Sequence, residues 1–263
     1  MPIDLPSALR AATIAAQHAG EIIRGGYDEV LSVTVKGDPA DRVTQFDHQA
    51  QSAIASLLQQ AHPHIPMMGE EDTEAFNDAD VYWVVDPLDG TSNFIQRLPH
   101  VGVSIGLRVH GQSVLGVLHF PILGTTYTAI AGQGAHRNGV PIQVQQRESL
   151  AAATVAEIFS DRQCRGKDVG YPPALMFRKF GSAVTSLAYL AQGSIHAMAL
   201  ECYLWDIAAG EVIIREAGGR VEWSFLHPED GLRSPVQFFA ATPGIFEEFA
   251  SVAHREFSRW NAH

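Results

Sequence analysis

The chain has 263 residues, 46% of them hydrophobic and 18% charged, the profile of a globular protein long enough to bury roughly three quarters of its extended surface. Its formal net charge of −11, with 29 acidic residues against 18 lysines and arginines, argues against nucleic acid as a main partner, because a phosphate backbone needs a basic stripe. No apolar run approaches the ~20 residues that span a bilayer, and the opening segment carries Asp4 without a long apolar core; the expectation is a cytoplasmic protein that engages no membrane. Cys164 and Cys202 have neither a disulfide framework nor a metal-ligand spacing, so both are expected as reduced thiols.

Leu9, Thr13, Ala16, Ala19, Ile22 and Ile23 recur at helical spacing, which predicts a first helix over 7–25 with Ser7 as its N-cap and Gly25-Gly26 as its stop. A strand-like "VLSVTV" follows, then the polar loop "KGDPADRVTQFD" and a second helix over about 44–60. From Ile65 to about Val144 the pattern becomes short apolar runs, "IPMM", "VYWVV", "VGVSIGLRV", "SVLGVLHF" and "TTYTAIAG", which predict strands joined in part as hairpins through "HGQS" and "PILG". Beyond a loose boundary near 145–150 the elements alternate: a strand in "ATVAEIF", a helix over 183–191, a short strand near 195–199, a helix over 206–217, a strand in "VQFFAAT" and a last helix from Pro243. The chain therefore predicts an α+β part over 1–148 and an α/β part over 149–263, with "SDRQCRGKDVGYPP" as a surface excursion.

The chemistry concentrates in carboxylates at the ends of apolar runs. "VYWVV" leads directly into Asp86 and Asp89, at the C-terminal end of a buried strand, where open α/β sheets place ligands. Pro87 stiffens the turn, and Gly90-Thr91-Ser92 offers backbone amides to an anion at a helix start. A second strand ends in Gly69-Glu70-Glu71, and Asp206 opens the helix "WDIAAGEVIIREAGG". Taken singly, each acid has an ordinary reading as a turn residue, a first-turn acid or an N-cap. Together they form a set of hard oxygen ligands of the kind Mg²⁺ prefers, and no Cys/His spacing points to zinc.

"GEE" at 69–71, "DPLDGTSNF" at 86–94 and "WDIAAG…EAGG" at 205–219, supported by "DRVTQFD" at 41–47, resemble in order and spacing the inositol monophosphatase family, within the wider lithium-sensitive metal-dependent phosphatases, across nearly the whole chain. The resemblance implies a layered αβαβα sandwich, a homodimer, and two or three Mg²⁺ ions in a cleft between the halves. One ion would be held by Glu70, Asp86 and the Leu88 carbonyl, a second by Asp86, Asp89 and Asp206, with Glu70 also touching a third. It implies hydrolysis of a small phosphorylated alcohol by a metal-activated water that Glu70 and Thr91 position, Thr91 being hydrogen-bonded to Asp47, while Gly90, Thr91 and Ser92 cradle the phosphate. No phosphoenzyme is expected. Lys36 is a further candidate for the phosphate.

For the alcohol, "RKFGSA" matches a family pattern bordering the substrate, which nominates Gly181, Ser182 and Ala183. The family's ring-binding glutamate lies seven residues before the aspartate of its Trp-Asp pair, and that position here is Ala199; Glu201, five before, is the candidate replacement. His196, where many relatives have an aspartate, points with Ala199 to an altered pocket. Inositol monophosphate is the leading substrate, with histidinol phosphate, a nucleotide 3′-phosphate or a sugar bisphosphate as alternatives. A regulatory binding protein that keeps the fold is the alternative of another class.

Overall fold

The computed structural model describes residues 3–29, 32–35, 42–76, 79–156 and 174–261. Helix α1 (Leu5–Gly26) starts two residues earlier than its periodicity suggests, because the Asp4 carboxylate, not Ser7, caps it by accepting the Ser7 N–H at 3.2 Å. Its buried stripe includes Ala8, Ala12, Ala15, Ala16, Ala19 and Ile23, which keeps Ala16, Ala19 and Ile23 of the expected face and replaces Leu9 and Thr13 by their neighbours. Small side chains on that stripe let the helix lie close to a sheet. After the hairpin β1 (Val33–Val35) and β2 (Arg42–Thr44), α2 (Gln45–Ala61) opens on a reciprocal cap between Thr44 and Asp47.

Strands β3 (Met67–Gly69), β4 (Val81–Asp89), β5 (Gly102–Val109), β6 (Gln112–Phe120), β7 (Thr125–Ile130), β8 (Ala135–Arg137) and β9 (Val140–Ile142) form a seven-stranded sheet in chain order. Within it only β3 and β4 run parallel. The short helix α3 (Thr91–Ile95) leaves the end of β4. A second, five-stranded sheet is built from β10 (Thr154–Ala156), β11 (Met176–Arg178), β12 (Ala197–Cys202), β13 (Arg220–Phe225) and β14 (Val236–Ala241), in the order β11-β10-β12-β14-β13. Helices α4 (Ala183–Ala191), α5 (Leu204–Glu216) and α6 (Phe246–Asn261) complete the described strands and α-helices.

Strand alternation assigns the layers. On β4, Trp83 and Val85 enter the core beneath α1 and α2, whereas Tyr82 and Val84 face α4 and α5. On β12 and β14, Met198, Leu200, Phe238 and Ala240 face that same inner helix pair, while Ala197, Ala199, Phe239 and Ala241 pack under α6. The order from one side to the other is helix, sheet, helix, sheet, helix, the αβαβα sandwich that the family resemblance implies. Among the described residues no helix is long and apolar enough to cross a membrane.

Helix α5 is buried nearly all round, from Leu204 and Trp205 through Ile207–Ile214, as a helix between two sheets must be. It reaches the first sheet over a glycine pair. Gly106 on β5 lies opposite Gly116 on β6; a Cβ on Gly116 would sit 2.2 Å from the Ala209 carbonyl oxygen, and one on Gly106 would sit 3.0 Å from the Ala208 backbone. Any side chain there pushes the helix off the sheet. Ser104 Oγ donates to the Trp205 carbonyl at 3.2 Å, holding the start of α5 over β5.

Strands β8, β9 and β11 lie outside the expected runs, and three further elements depart from expectation. Strand β13 was not anticipated, since "RVEWSF" follows a Gly-Gly helix stop and exposes half its residues. Strand β12 begins and ends two to three residues later than the expected strand, which places Glu201 inside it. Helix α5 starts at Leu204, so Asp206 is its third residue and not its N-cap.

Candidate metal centre

Residues three apart on a regular strand point to opposite faces, which would separate Asp86 from Asp89. The ladder between β4 and β5 prevents this: Asp86 pairs with Ser104 and Asp89 with Gly102, so one extra residue is accommodated on β4. Leu88 thereby stays in the core under α1 and α2, and both aspartates turn to the inner layer. There they meet Asp206, and one carboxylate oxygen from each of the three lies within 4.8 Å of the others. Asp206 is aimed by the first turn of α5, where its Oδ2 accepts the Tyr203 N–H at 2.6 Å.

Three carboxylates this close repel one another in a medium that screens poorly. Burial is the largest cause of the upward shift in each pKa. It lifts Asp86 well above the ordinary carboxylate range, with the charges of Glu70, Asp89 and Asp206 adding to it. Asp206 is pushed up to about 7 by burial and by Asp89. Asp89 rises only to about 6, because Ser182, Ala183 and Val184 donate hydrogen bonds to it. Hard oxygen donors that converge and resist sharing negative charge fit a divalent cation such as Mg²⁺, which would relieve that repulsion. Asp86, Asp89 and Asp206 would hold it; Glu70, which is hydrogen-bonded to Asp86, extends the donor set.

Beside the cluster, Thr91 Oγ1 lies 3.1 Å from Asp47 Oδ1 and 3.2 Å from the Leu88 carbonyl oxygen, so one hydroxyl proton is shared between two acceptors. The other Asp47 oxygen accepts the Thr44 N–H at 2.8 Å and the Thr44 hydroxyl at 2.6 Å. The cap of α2 thus doubles as the mount for Asp47, whose pKa burial raises against those hydrogen bonds. Gly90 caps α3 with φ 84°, and a Cβ there would lie 2.7 Å from the His100 carbonyl oxygen. Ser92 follows, half-buried, in the first turn of α3.

The remaining candidates divide. Ser182 donates to Asp89 Oδ2 and the Ala183 N–H reaches Asp89 Oδ1 at 3.1 Å, so both groups are bound to the carboxylate cluster. Gly181 is exposed with φ 67°. Glu201 shares its strand parity with Ala197 and Ala199, whose side chains lie under α6, whereas the neighbouring Cys202 packs into the inner layer near Asp206 and Asp89. Alternation therefore directs Glu201 away from the cluster. Lys36 lies outside the described residues. His196 is buried and tied to the backbone: its Nδ1 accepts the Thr154 N–H at 2.9 Å, which leaves Nε2 to donate to Gln145 Oε1 at 3.1 Å.

Two positioning residues escaped the sequence reading. Gln51, one turn after Asp47 on α2, accepts the Glu71 N–H at 3.0 Å and donates to Asp72 Oδ2 at 2.7 Å, holding the turn that carries Glu70. Asn93 Nδ2 lies 2.8 Å from the carbonyl oxygens of His100 and Phe180, tying α3 to the approach to α4. A polar residue on the buried face of a helix was the available signal for Gln51.

A layered αβαβα sandwich with carboxylates from both of its halves meeting at the inner helix layer is the architecture of the sugar-phosphatase type of fold. The chain belongs to the inositol monophosphatase family, whose sequence model matches residues 4–240. It is 36% identical over 226 residues to the Nus factor SuhB of Pasteurella multocida, covering 81% of this chain and 84% of that one. It is likewise 36% identical over 231 residues to an inositol monophosphatase of Mesembryanthemum crystallinum, covering 82% and 85%. Among solved structures, the inositol monophosphatase of Thermotoga maritima superposes with a TM-score of 0.83 at 30% identity, over 94% of this chain and 96% of that one.

Proposed function

We propose that the protein is a Mg²⁺-dependent phosphomonoesterase acting on a small phosphorylated alcohol, with inositol monophosphate as the leading substrate. The observation that carries this reading is the convergence of Asp86, Asp89 and Asp206 from two strand-end residues and one helix start, on a chain whose family includes an inositol monophosphatase at 36% identity. In this reading Glu70, Asp86 and the Leu88 carbonyl would hold one ion, and Asp86, Asp89 and Asp206 a second. When bound, such ions offset the charge of the phosphate and stabilise the departing alkoxide. Thr91, fixed by Asp47, orients the attacking water together with Glu70, and the backbone amides of Gly90 and Thr91 hold a phosphate oxygen at the start of α3. The reading also includes a homodimer, which sedimentation equilibrium tests.

Phosphate release should be measured from inositol phosphates, histidinol phosphate, nucleotide 3′,5′-bisphosphates and fructose 1,6-bisphosphate, each with Mg²⁺ and with a chelator. Chelator-sensitive turnover of inositol monophosphate is the expected result; turnover of another class alone would reassign the substrate. A second reading, a regulatory protein that contacts a macromolecular partner, draws on the name Nus factor carried by a relative at 36% identity. It predicts no phosphate release from any member of the panel, and a partner complex that survives Asp89→Asn.

A further inference from the structure

A serine hydroxyl has one proton to give and two positions at which to accept. Ser182, the buried N-cap of α4, uses all three. Its proton goes to Asp89 Oδ2, it accepts the Thr185 N–H at 3.1 Å, and it lies 2.7 Å from Thr185 Oγ1. An ionised carboxylate gives nothing back, so the proton between the two hydroxyls must be Thr185's. Ser182 is 4% exposed and Thr185 fully buried, which leaves no water to compete. The direction of every proton along Thr185, Ser182 and Asp89 is thereby determined.

Asp89 has roughly four acceptor positions on its two oxygens. Ser182 and the Val184 N–H, the latter at 3.4 Å, occupy Oδ2, and the Ala183 N–H occupies one position on Oδ1. One position on Oδ1 remains for a cation. Outer partners that orient a ligating carboxylate tune the affinity of the metal it holds.

We propose that the Thr185–Ser182 hydroxyl relay is a positioning device that turns Asp89 Oδ1 toward the divalent cation it shares with Asp206 and so sets the affinity for that ion. The proposal rests on the metal assignment above. The test is calorimetric titration of Mg²⁺ into the full chain, alongside melting of the metal-free protein, for wild type, Ser182→Ala, Ser182→Thr and Thr185→Val. Ser182→Ala should bind Mg²⁺ about 10–100-fold more weakly, Thr185→Val should weaken it by a smaller factor, and Ser182→Thr, which keeps the hydroxyl, should restore wild-type binding. If Ser182→Ala lowers metal-free stability as well, the comparison of Ser182→Thr with Thr185→Val decides. Binding within about twofold of wild type in both hydroxyl-deleting variants overturns the relay while leaving the metal assignment standing. A wild-type protein that takes up no Mg²⁺ removes the assignment and the relay together.

Discussion

The two inner-layer helices, α4 and α5, each bring a group to the carboxylate cluster, and they are held there by different physics. Helix α5 is seated sterically: its backbone at Ala208 and Ala209 fills the trough left by Gly106 and Gly116, and its own Gly210 lets Leu187 of α4 approach. Helix α4 meets the cluster through hydrogen bonds, with the Ser182 hydroxyl and the first amides of the helix on Asp89. The position of Asp206 is therefore inseparable from core packing, whereas the orientation of Asp89 can be altered with little loss of packed volume. Substitutions on the two helices should fail in different ways.

The largest effect is expected where both devices end, at the carboxylates. Asp206→Asn or Asp89→Asn should lower Mg²⁺-dependent phosphate release by about 10³-fold or more, since a metal contributes several kcal/mol to a phosphoryl transition state. Metal-free thermal stability should hold or rise in Asp206→Asn, because a like charge has been removed from a buried cluster, and fall in Asp89→Asn, whose amide nitrogen cannot accept the Ala183 or Ser182 proton; turnover within tenfold of wild type would falsify the assignment. Next comes the steric seat. Gly116→Ala should cost about 1–3 kcal/mol, a fall in Tm of about 2–4 °C for each kcal/mol in a chain of this size. Gly106→Ala should cost less, its nearest contact being 3.0 Å and not 2.2 Å. Equal, negligible costs at both positions would mean that the glycine pair does not seat α5.

This contrast also explains what was legible in the sequence. Apolar runs that end in carboxylates, and a helix that opens on one, place Asp86, Asp89 and Asp206 at chain positions where ligands gather, so the cluster could be read before the fold was known. The bulge that lets Asp86 and Asp89 face the same way could not, because it is a property of the pairing with β5 and leaves no mark on β4 alone. Nor could the bond from Ser182 to Asp89, because the two residues are 93 positions apart in the chain. The direction of Glu201 could not be read either: on β12 it shares the parity of Ala197 and Ala199, and counting back from Asp206 across the turn before α5 does not preserve odd or even position.

The carboxylates also predict how the metal and pH interact. In the metal-free fold Asp89 and Asp206 have pKa values raised from 3.8 to about 6 and about 7, so the folded state holds their protons more tightly than the unfolded chain. The sign follows from linkage: these two groups favour the fold most below the unfolded value and progressively less as pH rises through the folded ones. Divalent cations need the ionised form. The rise in Tm on adding Mg²⁺ should therefore be small near about pH 5 and grow toward about pH 8, measured by thermal melting with and without the ion. Asp206→Asn should flatten that dependence. A gain in Tm that is uniform across the range would place Mg²⁺ away from these carboxylates.

The smallest effect belongs to the residue that supports Glu70 from outside the cluster. Gln51 is 3% exposed and spends both ends of its amide on the turn after β3, one on the Glu71 N–H and the other on Asp72. A Cβ on Gly69 would stand 2.4 Å from Gln51 Oε1, so the strand passes directly against that amide. Gln51→Leu keeps most of the volume and strands a backbone donor, at a cost of about 1–3 kcal/mol if the turn stays in place. If the turn instead moves to find water, the stability cost shrinks and the position of Glu70 is what suffers, and phosphate release at saturating Mg²⁺ should then fall by about tenfold. Measuring both quantities on the one variant separates these responses, and a variant unchanged in both would show that Glu70 is held by something other than α2.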